Sequence, residues 1–562
     1  MSRRTKVGAA ALVAVALTLT ACGGPAKNDT GLKGADQAVG KADINPQDAS
    51  KVKDGGNFNW PITVMADNWN NWQLDGTVGD GADMQRAVMP NLFQQTADAK
   101  IEPNKDYLEE AKLASTDPQV LEFKINPKAK WSDGKPITWQ DFESMWKALN
   151  GTNKAYEVST TTGYEDIEKV EKGATDLDVK VTFKKKFAEW EGIFSPLYPK
   201  SMFDSPEEFN KGWVDAPKVT AGPFKIGSID RTAKIVTVVR DSNWWGDKPK
   251  LDSITFRQVD RTATADAFAN GQIDWYDIGS SIDNFQRAKT TPGAVIRQAA
   301  TADYTHLTFN GADTSILKDP KVRVALMKGI DTKAIATALL GQMLKGAPQV
   351  VGNHYFLIGT EGYQDNSAVA AFDKEAAKKQ LDDLGWKLEG DVRKKDGKDL
   401  VVRLVIPTPN PVSDQISKLT QSQLKEIGVK IDIQAVPVAD FFKQYINVGN
   451  FDMTAFRWTS SATPISDSKG IYYLDPASTN QNYGHIGSEE VNKLLDQANG
   501  ELDKTKRIAL ANEADKKIWE LGAQLPLYQA PGAVCVRNNV ANFGAVAYAN
   551  RPYDYIHMGF TS

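Results

Sequence analysis

Between residues 400 and 460 the apolar positions alternate between strand-like and helix-like spacing. Val401 to Ile406 reads as a strand, Ser413 to Glu426 as a helix closed by Gly428, and Val429 to Ala435 as a strand. Ala439 to Asn447 reads as a helix and Asp452 to Trp458 as a further strand. Strands alternating with helices predict an α/β sheet, and ligands of such sheets gather beyond strand ends. The last strand lies within the stretch Phe451 to Asp467, where Trp458 is followed by several hydroxyls and almost no charge. This stretch is predicted to form one wall of a ligand cleft.

Upstream, Asn57 to Met65 opens as a strand and leads into the loop Ala66 to Trp72. Loops on a rigid scaffold carry binding residues, so Asn68, Trp69, Asn70 and Trp72 are candidate ligand contacts; equally, both tryptophans could cover core edges. Met84, Val88, Leu92 and Phe93 then fall on one side of a helical pattern, and Leu121 to Ile125 alternates as a strand. Ser132-Asp133-Gly134-Lys135-Pro136 is a tight turn. Thr138 and Asp141 make a capping box for a helix whose apolar face is Phe142, Met145, Trp146 and Leu149.

Length, charge and the N-terminus narrow the class. A chain of 562 residues has room for two or more lobes with sizeable cores. The net charge of −4 becomes more negative once residues 1–21, with Arg3, Arg4, Lys6 and no acid, are set aside, so a basic nucleic-acid surface is excluded. Those cations precede an apolar run from Val7 to Ala21, shorter than the roughly 20 residues a spanning helix needs, which reads as a secretory signal peptide. Its end, Leu19-Thr20-Ala21-Cys22-Gly23, resembles the bacterial lipobox, which implies a diacylglycerol on Cys22 and an extracytoplasmic protein anchored to the cell membrane. Residues 22–54 are predicted to be a flexible tether, polar and without an aromatic, reaching roughly 30 Å on average. With Cys22 modified, Cys535 lacks a disulfide partner and reads as a small buried hydrophobe in a C-terminal strand.

Several runs resemble the extracellular solute-binding proteins of the peptide and nickel class, family 5, the receptors of ABC importers. They are Lys130 to Phe142; Ala221-Gly222-Pro223-Phe224; Asn243-Trp244-Trp245-Gly246-Asp247-Lys248-Pro249; and the helix Thr262 to Asn270 with Gly271-Gln272-Ile273-Asp274-Trp275. Leu307-Thr308-Phe309-Asn310, Asp319 to Leu326, Phe372 to Lys378 with Leu384-Gly385-Trp386, and Gln524-Leu525-Pro526-Leu527-Tyr528 follow in the family's order. The resemblance spans roughly residue 55 to the C-terminus. It implies a two-lobed α/β fold like the periplasmic binding proteins, type II, with an extra inserted subdomain and a hinge. Residues 55–94, 218–304 and 524–562 would form the first lobe, 95–217 the inserted subdomain, and 305–523 the second lobe. Chain crossings near Thr305 to Asn310 and Ala523 to Pro526 would form the hinge.

The resemblance also implies a site. In peptide-binding members the strand-end tryptophan and its flanks lend backbone groups to an extended ligand, here Arg457, Trp458 and Thr459, followed by Ser460. Those members hold the peptide's ammonium on an aspartate three residues beyond the tryptophan, where this chain has Ser461, a neutral hydroxyl. Asp467 or Asp277 could stand in, while Asp467 also reads as a surface loop acid. Trp275, Tyr276 and Asn310 complete the candidate set as further aromatic and amide contacts.

Catalytic patterns are missing from the sequence. His306, His354, His485 and His557 are scattered, and there is no zinc-type Cys/His cluster, His-Glu-x-x-His or Gly-x-Ser-x-Gly. Gly341 and Gly346 have P-loop spacing, but Ala347 stands where lysine is required. No enzyme activity, metal or cofactor is implied. The expectation is a monomeric, lipid-anchored receptor that captures oligopeptides and delivers them to an ABC permease. A receptor for oligosaccharides or other uncharged solutes is the alternative within the fold, and a secreted hydrolase or structural surface protein lies further off.

Overall fold

The strand predicted from Asp452 to Trp458 forms at Met453–Thr459 and is the middle strand of a five-stranded sheet. Val401–Thr408 and then Lys430–Pro437 lie parallel to it on one side; on the other Asp303–Phe309 runs antiparallel to it, and Gln524–Gln529 pairs antiparallel with Asp303–Phe309. The computed structural model describes residues 41–561 apart from 78, 345–346, 477–478 and 550–553. The signal peptide, Cys22 and the first part of the predicted tether lie outside the described residues.

Local chemistry accounts for the elements of this sheet. The helix Pro411–Lys425 starts where Asn410 accepts from the Ser413 N–H, and proline at its first position needs no hydrogen-bond acceptor there. It buries Ile416 and Leu424 against the strands. The helix predicted from Ala439 to Asn447 is instead a short turn, Val438–Asp440, followed by a π-helix, Phe441–Ile446. Widening the turn lets Phe441 and Ile446, five residues apart, both reach the core.

A second assembly holds Asn57–Ile62, Ser253–Gln258, Ile235–Arg240 and Phe224–Asp230 in one sheet, and Trp275–Asp277, Ala533–Arg537 and Ala294–Gln298 in another. The inserted segment adds an antiparallel sheet, Leu108–Thr116, Gln119–Ile125, Asp178–Phe183 and Ile167–Lys172. The helix Trp139–Leu149 packs on it, with the predicted capping box in place: Asp141 accepts from the Thr138 N–H at 2.9 Å and from the Lys200 N–H at 2.8 Å. Phe123 and Phe142 of this subdomain share one apolar core with Phe58, Trp60 and Phe256 of the first lobe. The inserted subdomain and first lobe are therefore held together by common packing.

Two boundaries differ from expectation. Gln524–Gln529 pairs with Asp303–Phe309 and so lies in the second lobe's sheet, because Gln529 opposes Tyr304 along the register. The chain passes between the two assemblies at residues 299–302 and 530–532. These passages run side by side: Ala530 N–H donates to Asp303 O at 2.8 Å, and Gln529 Nε2 donates to Thr301 O at 2.8 Å. Gly532, at φ +56°, makes the close approach possible, since a Cβ there would sit 2.2 Å from Ala299 O.

The tether also ends earlier than residue 54. Residues 41–54 are docked on the C-terminal segment, with Asp43 and Ala545 exchanging backbone hydrogen bonds and Lys53 N–H donating to Phe560 O at 2.8 Å. Ile44 and Val52 are buried there. Two apolar anchors plus main-chain pairing order a segment whose composition alone reads as flexible.

Candidate functional site

The Met453–Thr459 strand carries the wall of the site, and its side chains divide by alternation. Trp458 lies parallel to the His306 ring, centroids 5.6 Å apart, and to Tyr483 at 6.1 Å, with Phe456 edge-on at 5.0 Å. Its Nε1 donates to Gln524 Oε1 at 3.2 Å, which also accepts from Tyr472 Oη at 3.0 Å. Burial pushes His306 well below the usual imidazole range, so the stack contains a neutral ring. Trp458 is thus pinned in place by rings and one hydrogen bond.

Arg457 and Thr459 point to the other side. Arg457 pairs with Asp303 at 3.3 Å and, across the lobes, with Asp277 at 3.8 Å. Asp303 chiefly, with Asp277, raises the guanidinium further against the opposing effect of burial. Asp277 therefore already has a cationic partner. Val401–Thr408 pairs with the wall strand only at Met453 and Thr454. Among the described residues no strand lies on that edge of Phe456 to Thr459.

Past the strand, Ser460 N–H donates to Ala302 O at 2.8 Å, turning the chain toward the helix Pro464–Tyr472. Ser461 Oγ accepts from the Thr463 N–H at 2.9 Å and bonds Asp467 Oδ2, which also accepts from Thr463 Oγ1 at 3.2 Å. The residue six positions along thus brings its carboxylate to Ser461. Among the described residues, no hydrogen bond is made to Oδ1 of Asp467. Asp467 is exposed to solvent at the start of the helix, beside the Ser460 to Ile465 wall of the cleft. Desolvation by the protein around it raises its pKa, against the two hydroxyl hydrogen bonds.

Ser460 to Ile465 line a cavity of about 480 Å³, within the usual size range for small-ligand sites. The facing walls are Gln95 to Glu102 and Glu189 and Glu191 from the inserted subdomain, Tyr355 to Leu357, and Lys504 and Arg507. Glu189 is buried and accepts from the Ser466 N–H and Oγ, both at 2.7 Å, and from the Ile465 N–H at 3.3 Å. Burial first, partly offset by the Ser466 bonds and then reinforced by the charge of Asp467, pushes Glu189 up to about 7. Glu189, Lys504 and Arg507 escape sequence reasoning. The one local signal is an acid flanked by Ala188 and Trp190, a pattern that fits burial.

Several expected contacts lie elsewhere. Asn68 and Asn70 are buried and donate to Asn210 O at 2.8 Å and Phe209 O at 2.9 Å, bracing the inserted subdomain. Trp69 and Trp72 pack in the shared core, so of their two readings the structure favours core covering. Trp275 and Tyr276 are buried, Trp275 against Trp60 and Phe543, and Tyr276 against Phe268. Asn310 donates to Gly449 O at 3.0 Å and Phe451 O at 2.8 Å. It follows Phe309, which opposes Met453, and so sits at the far end of the sheet from Trp458. In each case the amide or ring is consumed by packing or main-chain bonds.

Two lobes joined by paired chain passages, with a polar cavity between them at a strand end, define a protein that encloses a solute. The comparisons narrow the class. Residues 102–485 match the family described as bacterial extracellular solute-binding proteins, family 5 Middle. The oligopeptide-binding protein OppA of Mycobacterium bovis is 40% identical over 553 residues, covering 97% of this chain and 92% of that protein. The structure is similar to the periplasmic EDTA-binding protein EppA, with a TM-score of 0.86 and 25% identity over 94% of this chain and 99% of that one. It is also similar to the oligopeptide-binding protein AppA from Bacillus subtilis in complex with a nonapeptide, with a TM-score of 0.77 and 20% identity over 91% of this chain and 100% of that one. The chain belongs to the extracellular solute-binding proteins of family 5, which are binding proteins and not enzymes. Among the described residues no helix is long and apolar enough to cross a membrane.

Proposed function

We propose that this chain is the receptor of an ABC importer, held outside the membrane by a lipid on Cys22, which captures oligopeptides between its lobes and delivers them to a permease. The observation that carries the peptide reading is Asp467, whose carboxylate reaches Ser461 with Oδ1 left for a ligand. An ammonium there restores the charge-assisted bond that Ser461 alone cannot make. The free edge of Phe456 to Thr459 supplies main-chain groups to an extended ligand by strand addition, leading it toward Ser460 and the cavity. The names of the mycobacterial and Bacillus relatives support the same reading. Bending at residues 299–302 and 530–532 opens and closes the lobes. The protein acts as a monomer and needs no cofactor.

An uncharged solute such as a sugar would use Ser461 as a neutral partner and open tryptophan faces as flat apolar surfaces. Trp69, Trp72 and Trp275 are occupied in the core and Trp458 is flanked by rings, which favours the peptide reading. A thermal-shift screen tests the choice, because a ligand that binds the folded form raises the melting temperature by mass action. Random tetrapeptides are expected to stabilise the protein, and mixed oligosaccharides and Fe(III)-EDTA are not. Stabilisation by either of the latter without a peptide effect sinks the reading. Anchoring predicts globomycin-sensitive processing and lipid labelling in cells, both lost in Cys22→Ser.

A further inference from the structure

Besides the Arg457–Asp277 pair and the Tyr548 hydrogen bond to Ile358 O, one short segment of the inserted subdomain bridges the cleft. Residues 184–192 of the inserted subdomain reach the second lobe, where Ala188 N–H donates to Asn499 O at 2.7 Å. A Cβ added to Gly192 would lie 3.2 Å from Thr463 Cγ2, which measures how closely this segment approaches the wall loop. At the centre, the Glu189 carboxylate occupies the first turn of Pro464–Tyr472, accepting two backbone N–H groups and the Ser466 hydroxyl. Those N–H groups are free in any helix's first turn, and the helix dipole favours an anion there. The next residue is Asp467, whose charge acts on Glu189.

We propose that Glu189 is the latch of lobe closure, docking on Pro464–Tyr472 when the lobes meet, and that its approach to Asp467 makes closure depend on positive charge arriving in the cleft. This rests on the closure reading above. In the open form Glu189 faces water; on closing it is buried beside a second carboxylate. Two sources can relieve that cost, a proton on Glu189 or a cationic group of the ligand near Asp467. Charged residues lining the cavity beside the latch are Glu191 on its own segment, Lys504 and Arg507 on the helix Lys504–Leu521, Glu361 on the loop that follows Leu357, and Asp98, Lys100 and Glu102 on the far wall; Lys184, Lys185 and Lys186 precede Glu189 on its segment. Lys504 is engaged by Glu361 at 2.6 Å and Lys100 by Asp98 at 2.7 Å, while Arg507 donates to Glu501 O at 3.0 Å. Arg507 and Lys504 also act on Glu191, partly offsetting the effect of its burial.

The sign of the proton effect follows from the closed form holding Glu189 at about 7 and the open form leaving it near its ordinary value. The closed form binds more protons, so closure is favoured as pH falls through 7 and loses that contribution above it. The closed-to-open ratio of the ligand-free protein should therefore be about tenfold higher at pH 6 than at pH 8.

Small-angle X-ray scattering of the ligand-free Cys22→Ser chain at both pH values reads this ratio. The wild-type side chains should give a smaller radius of gyration at pH 6. Glu189→Gln, which keeps an acceptor for the Ser466 N–H but carries no charge, should be compact at both pH values; Glu189→Ala should be open at both. Circular dichroism melts check folding, and Asp467→Asn supplies a second variant, expected to close at higher pH than the wild type. A radius independent of pH in the wild type, or a Glu189→Gln protein as pH-dependent as the wild type, overturns the latch. Adding tetra-alanine separates the two readings. No compaction under any condition refutes closure itself, whereas compaction by peptide with no effect of pH or of Glu189→Gln refutes the latch alone.

Discussion

Replacing Asp467 by Asn removes the charge and keeps the shape, which isolates what the carboxylate does for a cationic ligand. Oδ2 is held by Ser461 and Thr463, and an Asn side chain can keep one of those bonds through its oxygen. Oδ1 is the group left for an ammonium. A hydrogen bond to a charged partner contributes about 1.5–3 kcal/mol, against about 1 for a neutral one. Each 1.4 kcal/mol is tenfold in affinity, so Asp467→Asn should weaken tetra-alanine by roughly 3- to 30-fold. N-acetyl-tetra-alanine has no ammonium and should be little affected, so the ratio of the two dissociation constants is the diagnostic quantity. Isothermal titration calorimetry measures both. Desolvation raises Asp467 before the ligand binds, and an ammonium lowers it again, so the preference for the free amine should grow as pH rises through the raised value. An unchanged ratio in Asp467→Asn, or a preference independent of pH between 4 and 8, refutes the assignment.

Other sites give cleaner stability tests. His354 Nδ1 lies 2.7 Å from Asp515 Oδ1 and Nε2 lies 3.1 Å from Gln524 O, all buried, so His354→Phe strips a partner from a buried acid and should cost about 3–5 kcal/mol in urea unfolding; a loss below about 1 kcal/mol would show the pair is not an energetic unit. Gly532→Ala places a Cβ against Ala299 O at a left-handed φ, and should destabilise by at least about 2 kcal/mol while also weakening peptide binding; an unchanged melting temperature would mean the passage relaxes freely. Cys535 is fully buried and its thiol is pushed up to about 12, so in a Cys22→Ser chain it should resist maleimide at pH 8 until the protein is denatured, and rapid labelling of native protein contradicts its position in the core.

The parts of the fold legible in the sequence are those where one local pattern decides the outcome. The wall strand, the capped helix after Thr138 and the alternating elements from Val401 onward each carry a strong period or cap, and each forms within a few residues of its expected position. What failed was the inference from residue type to orientation. Asn68 and Asn70 look like ligand contacts because amides in loops often are, but here their donors satisfy carbonyls of residues more than a hundred positions away. No local pattern encodes such a partner. The same holds for Glu189, which meets Ser466 across 277 positions and gains its meaning only from the approach of two lobes.

On the proposed reading, Asp467 carries the charge that a directly attached acid would otherwise supply. A strand end fixes the position of the next few residues tightly, so an acid three residues past Trp458 would be held by backbone geometry alone. Here the chain turns at Ser460 and starts a helix at Pro464, and one helical turn returns Asp467 to the position Ser461 occupies. The hydroxyls of Ser461 and Thr463 then hold the carboxylate, doing for a side chain what the strand would have done for a directly attached acid. The arrangement has one consequence that a direct substitution would lack. Asp467 now belongs to the first turn of the helix that Glu189 caps, so whatever binds the acid also acts on the contact that joins the lobes. The proposed recognition and closure roles thus share one helical turn, and a substitution at either acid should change both affinity and the degree of closure, whereas Ser461→Ala should reduce affinity with closure left intact.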